Sequence, residues 1–184
     1  MPGYLRRLLV QCHIDSPCLP AGELLDRCSG GLPPGLLAHF NYAAPGDAER
    51  VARAGHVVVY CPRSHRFFGH PPHPYREFAQ AGVTVAIGTD SLASNENLCL
   101  LEELRFVRRE TPNPPPAETL LRMVTLDAAR ALGLQGQFGS LEPGKQADLA
   151  AFPCPAAVTD PVAELVDRAP APLGVWVAGQ QVGL

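Results

Sequence analysis

Residues Val83–Asp90, VTVAIGTD, form an apolar run rich in β-branched side chains that ends in glycine, threonine and a carboxylate. Such a run is typical of a buried β-strand. Two similar runs stand upstream, GLLAHFNY at Gly35–Tyr42 and HVVVYCP at His56–Pro62. Helical patterns separate the three runs, PGDAERVARAG at 45–55 and PYREFAQAG at 74–82. This alternation predicts an α/β fold in which helices cover a parallel sheet.

The helical segments have recognisable ends and faces. Asp47 can cap the first helix, and Gly55 can terminate it. Asn97–Glu110 has acids early and arginines late, which matches the helix dipole, and a further helical stretch follows at Pro116–Gly133. The charged residues of this segment are expected on a solvated face: Glu102, Glu103, Arg105, Arg108 and Arg109. One of the arginines could instead reach an anionic substrate.

The sequence changes character after residue 138. The segment 139–152, GSLEPGKQADLAAF, has a turn that leads into an apolar stretch, and 175–184, VWVAGQQVGL, reads as strand, glycine turn and strand. These patterns predict short antiparallel strands outside the parallel sheet. The proline-rich segments 112–116 and 153–172 are expected to be connections.

Composition sets the class of protein. The chain of 184 residues is 46% hydrophobic and 18% charged, which suits a globular core. A formal charge of −3 predicts neither a nucleic-acid partner nor attraction to an anionic membrane. The N-terminal apolar run is too short for a signal sequence or a membrane span. The six cysteines include no C-x-x-C pair, so reduced thiols and a cytoplasmic location are expected.

Polar residues follow each of the three predicted strands: His39, the cluster Arg63–Ser64–His65, and Asp90. Because the carboxyl ends of parallel strands meet at one edge of a sheet, these residues are expected on the same face. Asp90 could bind a divalent cation and accept a proton from metal-bound water, or it could be a turn or N-cap aspartate. His39 could be an acid/base or polarise a substrate carbon, or it could be a satisfied core histidine.

The sequence indicates a functional role less clearly for the other histidines. His65, His70 and His73 share a loop whose prolines exclude a helical i, i+4 ligand pair, so contact with substrate or a solvated loop is expected. His13 and Asp15 could form a ligand pair on a strand, but Ser16–Pro17 follows at once and no second H-x-H appears. A flavodoxin-like domain is disfavoured because no glycine-rich phosphate loop opens any helix.

Several ordered motifs together resemble the metal-dependent amidohydrolase superfamily, in the branch of cytosine, guanine and S-adenosylhomocysteine deaminases and triazine chlorohydrolases. The resemblance runs from Gly35 to the C-terminus through LLAHFNY, VVVYCPRSHRFFGH, GVTVAIGTDSLASNENLCLLEELR, VTLDAARALGL and GSLEPGKQADLAAF. It implies the C-terminal part of a (β/α)₈ TIM-type barrel with a small β-sandwich appendage. Residues 1–138 would then be the last strands and helices of the barrel, and residues 139–184 the sandwich segment.

The resemblance also implies roles. In the family a metal-activated hydroxide attacks a ring or amidine-like carbon of a small molecule, and ammonia or another group departs. By similarity Asp90 would ligate the metal and shuttle a proton, and His39 would assist the attack. Arg63, Ser64 and His65 would line the substrate pocket, but many relatives carry asparagine where this chain has His65, so the substrate does not carry over. Zinc is the metal expected, and iron would suit the same ligands.

Two motifs of the family are absent from the sequence, the H-x-H pair and the H-x-x-E segment that supply the other metal ligands and a glutamate. Zinc usually takes three or four protein ligands, so this chain is not expected to retain the metal by itself. The length also falls below the roughly 250 residues of such a barrel. A truncated start, a pseudogene product or one part of a split protein would explain this, with a homo-oligomer or a missing N-terminal half as partner. The alternative function is a catalytically inactive remnant or an interaction module.

Overall fold

The parallel sheet predicted from the three apolar runs is present. In the computed structural model, which describes residues 33–168 and 171–183, its strands lie in the order β1–β2–β3 and pair in parallel. The register places Leu37 beside Val58 and Val59 beside Ala86. The candidate ligand pair His13 and Asp15 lies outside the described residues. The strands are β1 Leu36–Ala38, β2 Val57–Tyr60 and β3 Val85–Ile87.

Helices follow the strands along the chain, as the alternating pattern predicts. They are α1 Asp47–Ala54, α2 Pro62–Phe67, α3 Tyr75–Gln80, α4 Leu100–Glu110, α5 Ala117–Val124, α6 Leu126–Ala131 and α7 Pro161–Arg168. Gly55 ends α1 with a φ of 71°, as expected. The cap position of α1 is Gly46 and not Asp47, which starts the helix. The Asp47 carboxylate accepts the Ala44 N–H at 2.8 Å, so it fixes the segment that leads into the helix and does not cap the helix.

The hydrophobic core lies between the sheet and these helices. Alternate residues of β2, Val58 and Tyr60, are buried, and all of β3 is buried. Five helices each contribute a fully buried apolar side chain to this core: Val51, Phe78, Leu104, Leu120 and Val166. Burying a side chain of this size stabilises the fold by roughly 1.5–3 kcal/mol. The packed helices therefore hold the carboxyl ends of β2 and β3 in place.

Strand β1 differs from the prediction of a buried strand. Leu36 is 45% exposed, and Ala38 is exposed as well. Within the described residues β1 has a neighbour on one side alone, β2, so it is an edge strand. The apolar sequence correctly predicted a strand, but burial depends on a second neighbour that the described part of the chain does not provide.

The helical predictions need four corrections. His65 lies in helix α2 and not in the loop predicted for it together with His70 and His73. Glu103 in α4 is fully buried and does not cover a solvated face. The stretch predicted as one helix over 116–133 divides at Thr125, whose φ of −119° and ψ of −93° are not helical. Helix α7 lies within 153–172, which the prolines led us to predict as a connection. Its residues 161–168 have a single proline at the first position, where proline is compatible with a helix.

The C-terminal part of the chain forms a separate antiparallel sheet, as predicted. Its order is β4–β5–β6, with β4 at Leu149–Ala151, β5 at Gly174–Val177 and β6 at Gln180–Val182. Ala178 and Gly179, both with positive φ, make the turn between the last two strands. None of the described helices is long and apolar enough to cross a membrane.

Candidate active site

The carboxyl ends of the three parallel strands bring predicted site residues to one edge. His39 directly follows β1, Ser64 lies in α2 just after β2, and Asp90 stands three residues after β3. The His39 N–H donates to the Val59 carbonyl at 2.8 Å, which extends the pairing of β1 with β2 up to this residue. His39 and Asp90 both adopt left-handed backbone conformations, with φ of 68° and 61°. Such conformations are costly for non-glycine residues and are concentrated at functional sites.

Asp90 accepts the hydrogen bonds that link the segments at this edge of the sheet. Its Oδ2 accepts hydrogen bonds from Ser64 Oγ at 2.6 Å and from Ser94 Oγ at 3.1 Å. These bonds, that of Ser64 above all, lower the pKa of Asp90, and the charge of nearby His39 lowers it further. Asp90 is therefore an exposed carboxylate that stays ionised and is held in a fixed orientation.

Arg63 and His65 flank Ser64, but neither contacts the Asp90 carboxylate. The Arg63 guanidinium binds Asn97 Oδ1 at 3.0 Å and lies 3.6 Å from a Glu103 carboxylate oxygen. His65 is buried, and its Nε2 donates to the Pro71 carbonyl at 2.7 Å while its Nδ1 lies 3.1 Å from the Asn41 amide. Burial lowers the pKa of His65. Of the predicted trio, Ser64 contacts Asp90, and a substrate-binding role for Arg63 and His65 stays a prediction.

His73 occupies a position that sequence reasoning did not predict. Its ring is buried and stacks on Tyr60, with 4.2 Å between ring centroids. The Nε2–H donates to the carbonyl of His39, and burial lowers the pKa of His73 to about 4. His73 is therefore a neutral anchor for the backbone that carries His39, not a residue of a solvated loop. The prolines around His73 restrict the backbone, and they could have indicated from the sequence that this loop has a fixed conformation.

Gly88 directly follows β3 and leaves room for a close neighbour, because it has no side chain. A Cβ atom built there would lie 3.1 Å from Val59 Cγ1 and 3.5 Å from Cys61 Sγ. The close neighbours are thus residues of β2 and of the segment that follows it. Gly88 lets β3 pack tightly against that segment, which brings Asp90 within reach of Ser64.

The metal implied by the motifs can be tested against the donor set. Within residues 33–168 and 171–183, no group of three or more histidine, cysteine, aspartate or glutamate side chains converges as a metal site. Asp90 offers one carboxylate, and zinc usually takes three or four protein ligands. The described part of the chain therefore does not by itself fit a zinc ion.

The chain is an α/β protein with polar residues at the carboxyl ends of its parallel strands, the edge at which proteins of this class commonly carry their sites. The model of the amidohydrolase family matches residues 21–182, and this chain belongs to that family. The motifs at 36–42, 57–70, 82–105, 124–134 and 139–152 had predicted this membership, which is confirmed.

Two relatives show what the chain is similar to. It is 35% identical to a 5-methylthioadenosine/S-adenosylhomocysteine deaminase of Teredinibacter turnerae, over 78% of this chain and 35% of the relative. It is 42% identical to an aminodeoxyfutalosine deaminase of Deinococcus radiodurans, over 53% of this chain and 23% of the relative. The chain thus spans about a third or less of the length of these relatives.

Solved structures agree with this membership. An adenosine deaminase from Xanthomonas campestris with bound zinc superposes with a TM-score of 0.71 at 30% identity, covering 79% of this chain and 36% of that one. An atrazine chlorohydrolase from Arthrobacter aurescens in complex with zinc superposes with a TM-score of 0.70 at 30% identity, over 79% and 35% of the two chains. The Escherichia coli guanine deaminase, at 21% identity and a TM-score of 0.72 over 83% and 40%, shares the fold.

Proposed function

We propose that this chain contributes to a metal-dependent hydrolase of the deaminase type, which acts on carbon–nitrogen bonds other than peptide bonds. The observation that carries the proposal is the exposed Asp90 carboxylate, held by Ser64 at the carboxyl ends of the parallel strands. The relatives that are deaminases support the reaction class. The substrate class we propose is an adenosine-type small molecule that loses an amino group as ammonia.

The roles follow from the chemistry of each group. Asp90 stays ionised because Ser64 and Ser94 donate to it, so it can accept a proton from an attacking water. His39 stands close enough to influence the charge of Asp90 and would polarise the carbon under attack. Arg63 and His65 would shape the adjoining substrate pocket, and Ser64 would act through Asp90.

Zinc is the metal we propose, with iron as the alternative, because similar structures contain zinc. Asp90 would be one ligand, and the other ligands would come from outside the described residues. Residues 1–138 would form the last strands and helices of a (β/α)₈ barrel, and residues 139–184 a segment of a β-sandwich. The exposed edge strand β1 supports completion by an N-terminal half or by another copy of the chain. A cytoplasmic location accords with the cysteine pattern.

A second candidate function rests on a specific observation. The described residues do not assemble three metal ligands, as a self-contained metallohydrolase would require. The chain would then be a catalytically inactive remnant or an interaction module that keeps the fold of the family without its reaction.

Zinc analysis and an ammonia-release assay decide between the two candidates. The purified chain, supplied with zinc, is incubated with adenosine and with 5-methylthioadenosine, alongside Asp90→Asn as the test variant and Ser91→Ala as a surface control. Ammonia release that Asp90→Asn abolishes and Ser91→Ala retains would support the deaminase. Zinc below about a tenth of an equivalent, together with no ammonia release, would overturn an autonomous enzyme. The same result with the N-terminal half of a related deaminase supplied alongside the chain would reject the proposed function and support the second candidate.

A further inference from the structure

Glu103 is a fully buried carboxylate in the first turns of α4, and both of its oxygens are hydrogen bonded. Its Oε2 accepts the backbone N–H of Arg63 at 3.0 Å. Its Oε1 accepts Asn95 Nδ2 at 3.2 Å and lies 3.6 Å from the Arg63 guanidinium. Burying a carboxylate is costly unless it is paired and hydrogen bonded. The hydrogen bonds to Glu103 offset this cost, and they therefore hold Arg63 and Asn95 in defined positions.

The partners of Glu103 have a particular relation to the site. Arg63 directly precedes Ser64 in the chain. Asn95 Nδ2 also donates to the backbone carbonyl of Thr89, the residue that directly precedes Asp90. The Glu103 carboxylate is thus bonded directly to the residue before Ser64. Through Asn95 it is also connected to the residue before Asp90.

We infer that Glu103 is a positioning residue, which sets the hydrogen bond from Ser64 to Asp90 by fixing the two loops that carry them. The inference gives Glu103 a role in the reaction only if the proposed function holds, whereas the coupling of the loops stands on the contacts alone. The left-handed backbone at Asp90 needs such external support, because that conformation is unfavourable for an aspartate in isolation.

The chemistry of Glu103 explains why a carboxylate occupies this place. Both oxygens face donors, the Arg63 N–H on one side and the Asn95 amide N–H on the other. In Glu103→Gln one acceptor becomes an NH₂ donor. Asn95 could accept from that donor only by flipping its amide, which would place its oxygen against the Thr89 carbonyl. The isosteric change therefore disconnects one of the two loops while preserving side-chain size.

The test follows the Asp90 carboxylate directly, by the ¹³Cγ resonance of Asp90 in the full chain at neutral pH. Ser64→Ala defines the shift caused by losing the hydrogen bond. Glu103→Gln should move the resonance in the same direction by about half of that shift or more, and the double variant should move it no further than Ser64→Ala alone. Glu102→Gln, at the neighbouring and more exposed position of α4, should leave the resonance in place.

An unmoved Asp90 resonance in a folded Glu103→Gln chain would overturn the inference, as would shifts that simply add in the double variant. If Glu103→Gln does not fold, Asn95→Ala cuts the same connection on the Thr89 side and should produce the same shift, and an unmoved resonance there would be equally decisive. The measurement needs no turnover. A shifted resonance, together with no ammonia release even when the N-terminal half of a related deaminase is supplied, would therefore reject the proposed function and keep the coupling.

Discussion

Ser64 Oγ donates a hydrogen bond of 2.6 Å to Asp90 Oδ2, although the two residues are 26 positions apart in the sequence. The bond connects the segment after β2 to the segment after β3. It exists because the two strands are parallel neighbours, so their carboxyl ends coincide. Ser64 is buried while Asp90 is exposed, which means that the protein interior orients a carboxylate that solvent can reach.

Removing the Ser64 hydroxyl should raise the pKa of Asp90. The Ser64 bond is the largest of the influences that lower this pKa, and Ser94 contributes a longer bond at 3.1 Å. Ser64→Ala should therefore move the pKa of Asp90 up toward its ordinary value, and Ser94→Ala should move it less. Titration of the Asp90 ¹³Cγ signal by NMR measures both changes. Equal shifts in the two variants would contradict the ranking.

Truncating Phe78 should strongly destabilise the chain. Phe78 is fully buried in α3, and its ring meets that of Phe40 edge-on at 5.3 Å between centroids. Phe78→Ala removes this contact and leaves a cavity, with an expected loss of about 3–5 kcal/mol in the free energy of unfolding. Urea denaturation followed by circular dichroism measures the loss. Phe67→Ala is the matched control, since Phe67 is 65% exposed and its truncation should change stability by less than about 0.5 kcal/mol.

The arrangement of strands could be predicted because it depends on local patterns. The apolar runs predicted β1, β2 and β3, and the parallel topology then brought the residues that follow them to one edge. That rule needs no contact distances, which is why Asp90 and His39 could be selected from the sequence.

The contacts of Glu103 and His65 could not be predicted in the same way. Glu103 has the helical context of a surface residue, and the donor that compensates its burial is the Arg63 N–H, 40 positions earlier in the chain. His65 shares a sequence cluster with Ser64, yet Asn41 and Pro71 occupy its two ring nitrogens. Both outcomes depend on partners that only the folded chain brings together.

The ion pair between Arg108 and Asp167 should couple α4 to α7. Arg108 binds the carboxylate with two nitrogens, Nε at 2.9 Å from Oδ1 and Nη2 at 2.8 Å from Oδ2. A two-point geometry favours the upper end of the range for exposed pairs, so a double-mutant cycle with alanine at both positions should give a coupling of about 1 kcal/mol. The control cycle uses Glu164 and Arg168, whose 3.5 Å contact is largely exposed on the arginine side and should couple by less than about 0.3 kcal/mol. Similar values for the two cycles would argue against the coupling.

Stability should fall as the pH is lowered, and His73 should account for a large part of that fall. Burial lowers the pKa of His73 from its ordinary value of 6.5 to about 4. The unfolded chain therefore takes up a proton at a higher pH than the folded chain does. The contribution of neutral His73 to the free energy of unfolding is therefore complete above about pH 6.5 and is lost progressively as the pH falls toward about 4. The total loss is about 3 kcal/mol.

His73→Phe tests this dependence, because phenylalanine keeps a ring beside Tyr60 and cannot be protonated. We expect the free energy of unfolding, measured in urea at several pH values, to fall less steeply in this variant between about pH 6.5 and 4. Its stability at neutral pH should also be lower, because the His39 carbonyl loses its donor. Some slope should persist, since burial lowers the pKa of His65 as well. Leu120→Ala serves as the control, because it removes a fully buried core side chain of α5, lowers stability while keeping both histidines and should retain the wild-type slope. A slope in His73→Phe as steep as that of the wild type would place the pH sensitivity elsewhere in the chain.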